Sequence, residues 1–296
     1  MFLINVTLYA LQEVFHYAFK LFFQTSKTAP MMHPVNLDDV DSFHAKYRLD
    51  RNLVARTTNN VALGIERLTH QPVVIKSVFN QGSEKLKEAN LLRKLRGTPG
   101  VIELLDHFHT PEQVHLLITK KFGQISLKRY LKEHPPLSED KAKALIIQVI
   151  NTVQECAQLN IFHTQLKTGN FLLDTHQWQV KLTNFNAATY IRIGGFKSTK
   201  RRISIGQSPP EYYINKHFYF DGLTVWSIGT LLYEMLFSHK PFYCAHDIIS
   251  KPCFTKPPKH LSINAQLFIE WCLEKRESDR MTLEQMMRHP WLKNKL

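Results

Sequence analysis

The apolar pattern of this chain changes period once, near Ser126, and that switch restricts the folds open to it. Ahead of the switch, residues 73–78 (Val-Val-Ile-Lys-Ser-Val) follow the turn residues 69–72, and residues 114–119 form another aliphatic run. Short β-branched runs bounded by turn residues read as strands. One helical stretch interrupts them, residues 83–95, with Leu86, Ala89, Leu92 and Leu95 on neighbouring positions of a 3.6-residue period. Beyond Ser126 the pattern is helical over residues 140–159, 223–237, 264–273 and 283–289. Strands gathered ahead of helices predict an α+β protein in two lobes. The expected division is a strand-rich lobe at 43–119 and a helix-rich lobe at 120–296, preceded by a helix at 1–24 and a linker at 25–42.

Over 296 residues, 44% apolar and 21% charged content supports real cores and excludes a largely disordered chain. Cys156, Cys244, Cys253 and Cys272 are scattered without metal-ligand spacing. No disulfide framework is expected, and a reducing compartment, cytoplasmic or nuclear, is the expectation. The net charge of +13 attracts anions. Its densest run, Lys197-Ser-Thr-Lys-Arg-Arg202, reads as a solvated loop, and no aromatic-interleaved basic motif points to a specific nucleic-acid partner.

Residues 1–23 gather Asn5, Gln12, Glu13, His16 and Lys20 on one side of a helical wheel, with the rest nearly all apolar. This is an amphipathic pattern and not an uninterrupted apolar span. It lacks the basic start of a signal peptide and the Lys/Arg-rich face of a membrane-surface helix. Packing on the domain or a partner is expected ahead of membrane contact. Asn5-Val6-Thr7 matches a glycosylation sequon, which would matter only in a secreted protein.

The sharpest signal is a series of short motifs. Residues 161–174 read Ile-Phe-His-Thr-Gln-Leu-Lys-Thr-Gly-Asn-Phe-Leu-Leu-Asp, and residues 180–188 read Val-Lys-Leu-Thr-Asn-Phe-Asn-Ala-Ala. Ser208-Pro-Pro-Glu211, Val225-Trp-Ser-Ile-Gly229, Asp279-Arg280 and His289-Pro-Trp291 follow, and Val73-Val-Ile-Lys76 precedes them. In that order they resemble the catalytic loop, magnesium loop, Ala-Pro-Glu element, buried helix and end of the helical lobe of protein kinases, with the third-strand lysine ahead of them. The likeness is nearest to the PIM group of serine/threonine kinases, through Gly100-Val-Ile-Glu-Leu-Leu-Asp-His-Phe108, Ser208-Pro-Pro-Glu-Tyr212 and Phe268-Ile-Glu-Trp-Cys-Leu273. It runs from about residue 47 to 293 and implies a bilobal kinase-like fold.

The resemblance also shows what has changed. The family's catalytic aspartate corresponds to Gln165, its magnesium-loop aspartate to Asn184 and the following glycine to Asn186. A carboxamide is no general base, and magnesium prefers carboxylates. The glycine-rich phosphate loop corresponds to residues 53–60, where Val54, Arg56 and Asn59 replace glycines, although Arg56 could reach an anion with its guanidinium. Lys167 and Asn170 are kept, with Asn170 the remaining metal candidate. Lys76 and Glu88 are kept either as a relic ion pair or as nucleotide contacts, and their separation of only 12 residues puts the pairing in doubt. Glu211, Arg280 and Trp226 read as framework, and His163 as a core histidine. His107, His109 and His115 read as a surface cluster.

The expected function is therefore a degenerate PIM-like kinase acting through protein partners, with ATP binding open, magnesium not expected and no efficient phosphoryl transfer. The alternative is an atypical, slow ATP-dependent serine/threonine kinase. Lys128, Arg129 and Lys132 stand where the group's acidic, arginine-selecting residues would be, so neutral or acidic peptides are expected over arginine-rich ones. Arg201-Arg-Ile-Ser204 looks like a basophilic phosphorylation site, and Thr164 replaces the arginine that senses such a phosphate in many kinases.

Overall fold

Val73 and Ile75 are buried on one face of an eight-residue strand, and that strand is the centre of a sheet. In the computed structural model, which describes residues 38–49, 61–79, 86–109, 114–123, 125–197, 203–254 and 260–293, the sheet has five strands. They are β1 (Tyr47–Leu49), β2 (Val61–Glu66), β3 (Pro72–Phe79), β4 (Leu104–His109) and β5 (Val114–Lys120), in the spatial order β1-β2-β3-β5-β4. β2 runs antiparallel to both β1 and β3, with Val61 opposite Lys76 and Gly64 opposite Val73.

A helix, α1 (Asp38–Lys46), leads into β1. The linker expected at 25–42 therefore ends inside a helix. Phe43 and Tyr47 are buried and pack their rings on Phe108, at centroid distances of 5.6 and 6.0 Å. Tyr47 donates its hydroxyl to Asp106, which also pairs with Lys46 at 3.2 Å. Burial first, and then Asp106, pushes the Tyr47 phenol well above its usual range. The expected helix at 1–24, the rest of the linker and the loop at 53–60 lie outside the described residues.

The chain separates into two compact units, residues 1–80 with 106–118, and residues 81–105 with 119–296. One cut, between 118 and 119, falls within a residue of the expected boundary; what differs is that residues 81–105 go with the larger unit. The helix α2 (Leu86–Lys94) goes with the larger unit, because it lies on the turn at 185–187 and the strand at 188–190, where Lys94 covers the Tyr190 ring at 4.7 Å. The expected start of that helix at 83 falls among residues 80–85, outside the described ones.

In the larger unit the helical periods find their elements. The helix Glu139–Gln158 is capped by Ser138, and Glu139 accepts bonds from Ser262 and from the Trp291 indole, tying three distant segments together. The helix Phe220–Phe237 is buried on nearly all sides, including Trp226, as apolar residues all round its axis require. Ile263–Cys272 and Leu283–Arg288 complete the bundle, the latter with a capping box between Thr282 and Gln285. Among the described residues no helix is long and apolar enough to cross a membrane.

Candidate functional site

Two strand pairs of the larger unit bring the degenerate loops together. Ile161–His163 runs antiparallel to Ala188–Tyr190, with His163 opposite Ala188. Phe171–Asp174 pairs with Gln179–Leu182, with Phe171 opposite Leu182. The residues just outside this second pair, Asn170 and Thr183–Asn184, must then be neighbours, and the Thr183 N–H donates to the Asn170 carbonyl at 2.9 Å.

His163 organises the space between the loops. Its Nε2 lies 3.2 Å from both the Thr183 and the Asn184 carbonyls, and its Nδ1 accepts from the Gln165 N–H at 3.3 Å. Two carbonyls at one nitrogen and an N–H at the other fix the neutral Nε2–H tautomer. Burial, against the pull of those carbonyls, brings the ring down to about 4, so it is uncharged at neutral pH. Its place is in the core, as expected.

The amides then close on one another. Asn170 donates Nδ2–H to the Gln165 carbonyl at 2.8 Å, which turns its Oδ1 the other way. That oxygen accepts from Asn184 Nδ2 at 3.3 Å. The two side chains expected at metal-ligand positions therefore bond to each other, donor to acceptor, with no net charge. Gln165 contributes only its backbone to these contacts and is half-buried. Residues 163–170 and 183–187 contain no Asp or Glu.

Asn184 takes the left-handed conformation, φ 68° and ψ 53°, which asparagine tolerates better than most side chains. Phe185–Ala187 follows as a 3-10 turn. The loss of glycine at Asn186 therefore does not bear on the turn. The bend falls two residues earlier, and Asn186 is exposed within the 3-10 segment.

Lys167 reaches Ser204 Oγ at 3.5 Å. The candidate phosphorylation site is thus half-buried against the loop, anchored through Ile203 in a cluster with Phe162, Phe196, Phe218 and Leu223. Thr164 donates to the Ala187 carbonyl at 2.8 Å, a bond within the framework. Lys128 and Lys240 both act electrostatically on Lys167. Lys128 was singled out by sequence reasoning, whereas Lys240 was missed. It stands 73 positions beyond Lys167, and only tertiary structure unites them.

Of the remaining candidates, Lys76 lies on β3 in the smaller unit, opposite Val61, and Glu88 is buried in the first turn of α2 in the larger one. Arg56 lies outside the described residues. The histidines are not a surface cluster at a loop. His107 and His109 sit on β4 and His115 on β5, His115 is buried, and His107 Nε2 meets His115 Nδ1 at 3.0 Å. The strand alternation that turns His115 inward was legible, but the pairing of β4 with β5 was not. Among the described residues no group of three or more His, Cys, Asp or Glu is arranged to hold a metal ion.

Beneath the loops lies a charged framework. Arg280 grips Glu211 with both terminal nitrogens, at 2.7 and 2.9 Å, donates to the Gly222 carbonyl at 3.0 Å and to the Glu274 carbonyl at 3.0 Å, and stacks over Trp226. A Cβ at Gly222 would come within 2.3 Å of Glu277 Oε1 and 3.1 Å of Glu211 Oε1, so both carboxylates lie close over this backbone.

Comparison with known proteins gives a consistent set of likenesses. The family model for the protein kinase domain matches residues 55–292. A serine/threonine-protein kinase pim-2 of Danio rerio is 33% identical over 201 residues, covering 66% of this chain and 62% of that protein. Serine/threonine-protein kinase prk-2 of Caenorhabditis elegans is 29% identical over 243 residues, 80% of this chain and 54% of that protein. The chain thus spans less than two-thirds of either relative's length. Among solved structures, the Cydia pomonella granulovirus kinase PK-1 superposes with a TM-score of 0.73 over 86% of this chain and 97% of that one, at 21% identity, which shows a shared fold.

Proposed function

This chain belongs to the protein kinase domain family and has its bilobal α+β fold, and from that premise we propose that it works as a PIM-like pseudokinase, a protein-binding or regulatory module without efficient phosphoryl transfer. The carrying observation is the Asn184–Asn170 side-chain bond at 3.3 Å. Phosphoryl transfer is catalysed by positioning and by charge, above all by metal ions held on carboxylates. Here the oxygen of Asn170 that would face a cation is directed at the Asn184 amide. Magnesium prefers hard anionic oxygens, and two neutral amides, one donating to the other's oxygen, do not fit it. Gln165 adds no base, and general-base assistance is typically worth about 10²–10⁴ in rate.

The second reading, a slow atypical kinase, draws on the relatives named as kinases and on the retained Lys76, Glu88, Lys167 and Asn170. Two measurements separate the readings. Thermal shift with ATP, with and without Mg²⁺, reports binding, because a ligand stabilises the state it binds. The pseudokinase reading expects no Mg²⁺-dependent increment. Single-turnover transfer from labelled ATP is expected to give no signal above that of a Lys76→Met control. Labelling at an ordinary kinase rate that the control abolishes would sink the proposal.

The Asn184→Asp variant tests the site itself. It exchanges a donor for an oxygen facing Asn170 Oδ1 and should cost about 1–3 kcal/mol in chelator, the penalty of an unsatisfied pair. Added Mg²⁺ should then raise its melting temperature while leaving the natural chain unchanged. Equal responses of the two proteins would contradict the account.

A further inference from the structure

We propose that Lys128, Lys167 and Lys240 form a docking site for a phosphorylated serine or threonine carried by an acidic peptide. The inference rests on the reading of the chain as a binding module and adds the class of partner that module takes.

Three segments far apart in sequence supply the cations. Lys128 is in the first turn of the helix Leu127–Glu133, and its stem passes over Gly169, with Cδ 3.7 Å from where a Cβ would stand. Lys240 follows the helix Phe220–Phe237, with Cδ 3.5 Å from the corresponding position of Gly206. Lys167 lies between the loop and Ser204. Lys128 and Lys240 are exposed, whereas Lys167 is recessed. Burial, and then repulsion from Lys128 and Lys240, holds the Lys167 ammonium below its usual range. Among the described residues none of the three lies within ion-pair distance of a carboxylate.

Glu234 is the carboxylate that acts on this group. It is largely buried, accepts a bond from Thr168 and is attracted by Lys240 and Lys128, yet burial still holds its carboxyl above the usual range. Three ammonium groups against at most one carboxylate leave about two positive charges unbalanced. A phosphate monoester carries about −1.5 to −2 at neutral pH and matches that surplus, whereas a single Asp or Glu would leave half of it. The recess favours a monoester on a side chain, which can extend to Lys167, over the diester of a nucleic-acid backbone. Ile205 and Tyr243, both exposed, adjoin Gly206 and Phe242, and the Phe242 carbonyl lies 3.4 Å from where a Cβ on Gly206 would stand. They give the peptide apolar ground beside the lysines.

The test is fluorescence anisotropy with the full chain in the absence of ATP. The probes are an acidic peptide with a central phosphoserine, its unphosphorylated form, an arginine-rich peptide and a single-stranded oligonucleotide. The phosphopeptide should bind at least about tenfold tighter than its unphosphorylated form and weaken as salt rises. Lys128→Gln combined with Lys240→Gln should abolish that preference, with a retained cooperative melting transition showing that the variant is folded. Equal binding of the two acidic peptides, tighter binding of the arginine-rich peptide or the oligonucleotide, or a preference that survives in the double variant overturns the proposal. Failure here leaves the non-catalytic reading standing, whereas ATP-dependent transfer would remove that reading without altering a peptide affinity measured without ATP.

Discussion

Replacing Arg280 with methionine lowers the unfolding free energy by about 3–5 kcal/mol, the range found when one partner of a buried ion pair is removed. Glu211 then loses both charge-assisted bonds, at 2.7 and 2.9 Å, while remaining buried. The carbonyls of Gly222 and Glu274 lose their donor as well. The loss is aggravated by Glu277, whose carboxyl is held above the usual range by burial and by the neighbouring Glu211. Without the guanidinium the two carboxylates repel unscreened. Denaturant titration against pH reads this directly. The deficit of Arg280→Met should shrink in acid, where the stranded carboxylates take up protons, and pairing it with Glu211→Gln should recover part of the loss. A deficit that is independent of pH and additive with Glu211→Gln would mean that packing of the arginine stem, and not charge, carries the effect.

The second large effect is an acid sensitivity built on His163. In the folded chain this ring protonates near about 4, while an unfolded histidine does so near about 6.5. Between those values the unfolded state binds more protons, so stability falls as pH falls through the window and is fully present above it. The integrated loss is about 3 kcal/mol. His289, also held low by burial, acts in the same direction, so the informative quantity is the difference between the natural chain and His163→Leu. That variant should be less stable at pH 7 by about 1–3 kcal/mol, because the Thr183 and Asn184 carbonyls lose their donor. It should also have the flatter pH profile. Parallel profiles would show that His163 is not the titrating group.

Much of this was legible in the chain because motif and period pointed the same way. The helices found at Glu139–Gln158 and Ile263–Cys272 lie within a residue of the 140–159 and 264–273 periods, and Glu211 and Arg280 meet as their motifs implied. What was not legible depends on through-space packing. The helix Asp38–Lys46 was hidden in a run of aspartates, with Phe43 its one large apolar side chain and Tyr47 already in the strand that follows. The helix Leu86–Lys94 precedes most of the chain it packs against, so no local pattern could assign it to the larger unit. At the site, the replacement of aspartates by amides was readable, but their mutual bond was not, because it depends on the register of two strands. The family's loop glycine corresponds to Asn186, yet the left-handed residue is Asn184, two positions earlier. The lysines converge through Gly169 and Gly206, positions whose small size matters only once the chain has folded over them.

The bond between Asn170 and Asn184 joins two uncharged groups that belong to the chain itself. On the proposed reading, in which no magnesium binds there, its strength is indifferent to divalent-ion supply and to cellular energy charge, and neither amide titrates across the physiological range. A surface laid over such a joint keeps one shape in a starved cell and in a growing one.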